Sequence, residues 1–170
     1  MGATTYVGRI LRALQFKQAN ELWGAIGRTT VWDNEADPPD DPIDSTVIEE
    51  TIGYVSAGIT GLAKIVESNE DVIINGQKYA YVNDVDAYDE DARYLIIIIN
   101  IIPSQGHPYG NFRQIGVYAG LTPTTGHEGD TFLFPSDVSD PGKLVYIHND
   151  IVTTMSPIRE EEIKIALEFR

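Results

Sequence analysis

The stretch Arg93-Tyr-Leu-Ile-Ile-Ile-Ile-Asn-Ile-Ile102 leaves the chain few options. Leu95 to Ile99 is apolar at every position, so a strand made from it can leave neither face in water. The run is too short for a membrane helix, which needs about 20 apolar residues, and Asn100 interrupts it. Left exposed it would seed cross-β association. It therefore predicts a central strand covered on both sides.

Downstream, the signals remain those of strands. Phe112 to Leu121 reads as a strand, Gly120 to Asp140 as loop, and Lys143 to His148 as another strand. Glu162 to Phe169 alternates: Ile163, Ile165, Leu167 and Phe169 face one way, Lys164, Glu168 and Arg170 the other. Upstream, Asn83 to Asp91 is an acidic turn. Asp71 to Tyr81 carries Asn75-Gly76, a hairpin signal because both residues tolerate positive φ. Gly61 to Glu67 is a strand. Thr46 and Glu49 have capping-box spacing, and Ile48, Ile52, Val55 and Ile59 recur helically, which predicts a helix from Thr46 to Ala57. Asp33 to Pro42 holds five acids and three prolines in ten residues, so it must be an extended surface loop. Glu21 to Arg28 suits a strand whose small residues admit close backbone approach. Met1 to Asn20 reads as a helix capped at Thr4 or Thr5, with Val7, Ile10, Leu11 and Leu14 at helical spacing.

Two helices followed by strands, without βαβ alternation, predict a mainly β (α+β) chain. Its core would be an antiparallel β-sandwich including Ile96, Ile98, Val117, Val145, Ile163, Ile165 and Leu167. An N-terminal helical extension, residues 1–20, would precede the sandwich domain, residues 21–170. The helix carries Arg9, Arg12 and Lys17 and no acid, which points it toward an acidic neighbouring chain.

Composition narrows function. The 170 residues carry 12 Lys plus Arg against 26 Asp plus Glu, a net charge of −14. That sign disfavours nucleic acid and anionic membranes as partners. There is no cysteine, which excludes a thiolate metal site, a disulfide and a Cys nucleophile. Met1 to Leu14 lacks the long apolar core of a signal peptide, so the expected address is the cytoplasm in which the chain is made. His107, His127 and His148 lie far apart in loops or at strand ends, which predicts surface or capping roles. The segment from Asp84 to Asp91 has Asp89 where a calcium loop needs Gly. No nucleophile–base spacing, phosphate loop or ligand motif is present, so we expect no catalytic residue, no metal and no cofactor. Trp32, at the base of the stiff acidic loop, is either the plug of its own core or a subunit contact. In the second reading the loop is mobile until a partner orders it.

Gly27-Arg28-Thr29, then Trp32, Glu35 and Pro38-Pro39, then Asp44-Ser45, resemble the N-terminal signature of baseplate wedge proteins of contractile-tailed bacteriophages. Asn111-Phe112-Arg113-Gln114-Ile115 is similar to that family's Phe-Arg-Gln-Ile strand. Gly142 to Tyr146, Asn149 to Val152 and Glu160 to Phe169 follow its C-terminal order. The resemblance runs from about Leu22 to Arg170, with Val31 where the family usually has Pro, and the chain looks like a reduced-size member. It implies a non-enzymatic virion protein linking hub and sheath to peripheral fibres. Its partners would be other tail and baseplate proteins, with a homodimer inside a six-fold assembly. Trp32, Pro38, Pro39, Arg9, Arg12 and Arg28 would supply interfaces, and Gly27, Arg28, Trp32, Glu35, Phe112, Arg113 and Gln114 the family motif. The alternatives are a neck, tail-terminator or sheath-initiator subunit, or a sandwich binding carbohydrate or a cell surface on Tyr79, Tyr81, Tyr88 and Tyr94.

Overall fold

A computed structural model describes residues 2–19 and 21–170. The chain divides into two compact units. Residues 1–20, 58–98 and 163–170 form the first, and residues 21–57 and 99–162 form the second. In chain order the elements are α1 (Tyr6–Ala19), β1 (Leu22–Gly27), β2 (Gly53–Ile65), β3 (Val72–Ile74), β4 (Gln77–Val82), β5 (Tyr94–Ile101), β6 (Phe112–Ala119), β7 (Thr122–Pro123), β8 (Phe132–Leu133), β9 (Val138–Asp140), β10 (Lys143–Thr153) and β11 (Glu161–Glu168).

In the first unit, Leu95 to Ile98 of that stretch lie in the middle of β5, which pairs with β2 on one side and β11 on the other. Leu95, Ile96 and Ile97 are consecutive and fully buried, which requires cover on both faces of the strand. Each such side chain contributes about 2 kcal/mol of burial. The β3–β4 hairpin turns at Asn75 (φ 49°) and Gly76 (φ 78°), the conformation that the Asn-Gly pair predicts. Tyr79 and Tyr94 meet edge to face at 5.3 Å in a cluster with Val72, Ile74 and Ile96.

Helix α1 begins where Thr5 caps it, the Gly8 N–H donating to Thr5 Oγ1 at 3.2 Å. Ile10 (1% exposed) and Ala13 (0%) form its buried face. Phe16 packs on Phe169 at 5.4 Å, and Lys17 pairs with Asp84 at 2.7 Å. The helix is therefore part of the core of the first unit, which corrects the expectation that it packs chiefly on another chain. Its buried stripe, not its charge, sets its partner. Deleting residues 1–17 should unfold or strongly destabilise the protein. An unchanged melting temperature after that deletion would contradict this placement.

In the second unit the strands run β10-β6-β1-β2, with β8 on the first part of β2, all antiparallel. Every residue of β1 is buried. Its glycines serve close approach: a Cβ on Gly24 would lie 2.3 Å from Ile99 Cδ1. Trp23, Ala25, Ile48, Tyr54, Tyr118 and Leu133 form one cluster of its core.

Two expectations give way here. No helix spans residues 46–57; residues 46–52 are irregular and β2 starts at Gly53. The capping-box pattern is overridden because the Ile52 N–H donates to Ile26 O, and Ile48 is buried with its N–H on Tyr118 Oη. Gly53 and the β-branched Thr51, Ile52 and Val55 favour extension once sheet partners are present. The sandwich gives way as well. β2 runs for 13 residues, pairing through residues 53–57 with β1 and through 58–65 with β4 and β5, so nine strands among the described residues share one hydrogen-bonded network. The fold is mainly antiparallel β with one N-terminal α-helix. Of the expected core, Ile96, Val117 and Ile165 are buried, while Ile98, Val145, Ile163 and Leu167 are half-buried.

Candidate functional site

The second unit brings the motif residues of the two chain halves together. Strand β1 ends at Gly27, opposite Gln114 on β6, and Gln114 in turn lies opposite Asn149 on β10. A Cβ on Gly27 would stand 2.3 Å from Glu49 O, so only glycine lets the 48–51 segment lie against β1. Arg28 then turns the chain with φ 58°, a left-handed conformation that a non-glycine residue adopts only where its surroundings hold it. Its N–H donates to Glu49 O at 2.6 Å, its Nε to Thr30 O at 3.0 Å, and its guanidinium pairs with Glu49. The same guanidinium lies 4.4 Å from the centre of the Trp32 ring.

Trp32 is 8% exposed and donates its indole N–H to Asp150 O at 2.9 Å. In the chain by itself it is a plug that joins the loop to β10. Arg113, buried on β6, grips Glu35 with Nε at 2.7 and 2.9 Å and Nη2 at 2.6 Å, while its Nη1 donates to Thr29 O at 2.7 Å. Gln114 accepts from the Glu49 N–H at 2.6 Å and donates to Asn149 Oδ1 at 2.8 Å. Asn149 passes the chain of bonds onward, donating Nδ2 to Pro39 O and Asp40 O at 3.1 Å each. Its own N–H donates to Asp41 Oδ1 at 2.7 Å. The buried amides are thereby satisfied, and the loop is stitched to β6 and β10. These bonds count against the expectation of a loop mobile in the free protein, since side chains from two strands add to proline stiffness.

Acid should loosen this clamp. The Arg113 guanidinium holds Glu35 below the usual carboxylate range, and hydrogen bonds from Thr30 hold Glu50 at about 2, against an ordinary value of 4.5. A depressed carboxylate stabilises fully above its unfolded value and ceases to do so as pH falls through its folded one. The Trp32 indole N–H resonance should therefore lose its dispersion between pH 4.5 and about 2. A resonance unchanged through that window would contradict the assignment.

The outer side of the loop is different. Pro39 is exposed and Pro38 half-buried. Asp33, Asp37, Asp40 and Asp44 are exposed and have no cation partner among the described residues. A cleft of about 360 Å³ is lined by Arg28, Trp32, Asp33, Asn34, Asp37 and Pro39. Phe112 is buried beside Arg113. Arg9 and Arg12 belong to α1 in the first unit. Arg9 stands over the Tyr6 ring at 5.6 Å and exposed Arg12 donates to Arg170 O at 3.2 Å.

The histidines divide. His127 bonds Asp130 at 2.7 Å and His148 bonds Asp41 at 3.2 Å, both partly exposed. His107 is buried against Phe132 at 4.9 Å, which corrects the surface half of its expected surface or capping role. Tyr79 and Tyr94 are buried, leaving Tyr81 and Tyr88 exposed, so the four tyrosines form no common platform. Sequence reasoning gave Ile48, Glu50 and Asp41 no part in the site, and it placed Asn149 in the C-terminal resemblance without a role. Asp41 pairs with Asn149, 108 positions on, and Asn149 also bonds Gln114, 35 positions back, so no local pattern joins them.

Comparison with known proteins gives one consistent picture. A family described as "Baseplate wedge 3 tail fiber network component" matches residues 1–169, so the match includes α1, beyond the stretch that the motifs covered. Virion protein 3 of Enterococcus phage phiEF24C is 30% identical over 155 residues, covering 88% of this chain and 84% of that protein.

Proposed function

The chain belongs to the family of baseplate wedge 3 tail fiber network components, a structural protein of the phage virion baseplate, and from that premise we propose that it is a rigid spacer between the hub or sheath of a contractile tail and the peripheral fibres. The family is structural, which implies a non-enzymatic role and contacts with other baseplate and tail proteins. The observation that carries the spacer reading is the clamp. Arg113, Gln114 and Asn149 hold a proline-rich loop in one conformation, which lowers the entropy lost when a neighbour docks on it. We place the contact on the loop's outer side, with Pro38 and Pro39 at the surface and Trp32 and Arg28 supporting them from beneath. Exposed Arg12, near Arg9 on α1, offers a second contact for an acidic neighbour. The family resemblance adds a homodimer within a six-fold assembly, formed away from the acidic loop, and the charge of −14 argues against nucleic acid and anionic membrane as partners.

The test is a phage lacking this gene. The spacer reading expects particles with sheath and tube but without attached fibres, restored by the wild-type gene in trans. Normal fibre attachment in the deletion would overturn it.

A further inference from the structure

The acidic loop has an outward tip that the clamp does not use. Ile43 is 97% exposed, the most exposed large apolar side chain among the described residues. It sits in the turn from Pro42 to Ser45, closed by the Ser45 N–H donating to Pro42 O at 3.0 Å. On its N-terminal side the turn is anchored by Asp41, which accepts from the Asn149 N–H at 2.7 Å. On its C-terminal side it is anchored by Ile48, buried in the core of the second unit. Pro39 and Pro42 restrict the chain further. An isoleucine held bare in water on a turn fixed from both ends does nothing for the free fold. It is instead a preorganised knob, the kind of side chain whose burial against a partner carries binding energy.

We propose that Ile43 is the anchor of an inter-subunit contact, inserting into an apolar socket rimmed by Lys or Arg on a different baseplate protein. The rim follows from charge. Asp40 and Asp44, on either side of the knob, are exposed and have no cation partner among the described residues. A second copy of a chain with net charge −14 is the wrong partner for them. The inference rests on the virion reading above and shifts the contact from Trp32, which the fold consumes, to the tip of the same loop.

The test replaces Ile43 with the photo-crosslinker p-benzoylphenylalanine in intact particles, alongside an Ile43→Asp variant. A crosslink to a different virion protein is expected. So is an Ile43→Asp protein with the wild-type melting temperature that assembles about thirtyfold less efficiently, the loss typical of one hot-spot side chain. A crosslink only to another copy, no crosslink, or undiminished assembly of Ile43→Asp would overturn the proposal. So would a fall in its melting temperature, since Ile43 would then be structural. Purified particles that lack the protein altogether would instead defeat the virion reading, and the proposal with it.

Discussion

Trp32→Ala should lower the melting temperature of the isolated protein by on the order of 10 °C. The indole is buried, its N–H satisfies Asp150 O at 2.9 Å, and the Arg28 guanidinium lies on its face at 4.4 Å. Truncation leaves a cavity, an unpaired carbonyl and an arginine without its platform. Loss of a buried Trp costs about 3–5 kcal/mol, and each kcal/mol shifts a domain of this size by roughly 2–4 °C. Phe at the same position should recover part of the loss, since it restores area without the N–H. Asp40→Ala, at an exposed acid with no cation partner among the described residues, should change the melting temperature by about 1 °C or less. A Trp32→Ala protein that melts like the wild type would mean that the indole is held in reserve for a neighbour.

Gly27→Val should be comparably damaging, for the opposite reason. It adds atoms where none fit. The first of them would lie 2.3 Å from Glu49 O and 3.1 Å from Ile48 Cδ1. The 48–51 segment must then move, breaking the Arg28 N–H to Glu49 O bond and lifting Ile48 off Tyr118. Overpacking against backbone costs about 1–3 kcal/mol or more, to which the lost bonds add. Gly129→Ala is the control, since a Cβ there meets nothing within 4 Å and no positive φ is required. Scanning calorimetry of the two variants should separate them clearly. Equal melting temperatures would mean that the 48–51 segment is not clamped against β1.

What the sequence made legible follows physical range. The Leu95 to Ile99 run, the Asn75-Gly76 turn and the Thr5 cap are local or compositional signals, and each appears where those signals place it. The false helix at residues 46–57 had local signals too, but Tyr118, Ile26 and Gln114 claimed its backbone groups from elsewhere in the chain. β2 was half read for the same reason, since its first residues are strand only beside β1 and β8. At the site, the motif residues were identified one by one, yet nothing in their spacing joined Glu35 to Arg113 or Gln114 to Asn149. Those pairings exist because antiparallel strands set Gly27, Gln114 and Asn149 in one row. Trp32 was left between two roles because burial of a loop aromatic depends on what packs beneath it, here β10.

The central claim is that the loop is prebuilt in the free chain and offered rigid to its neighbours. Hydrogen exchange at the amides of Arg28, Thr30, Ile48, Glu49 and Asn149 measures this directly, because each donates to a clamp partner. The clamp predicts protection of these amides in the isolated protein, with little gain on assembly. Exchange at the unprotected rate in the free chain, followed by protection only in particles, would contradict it.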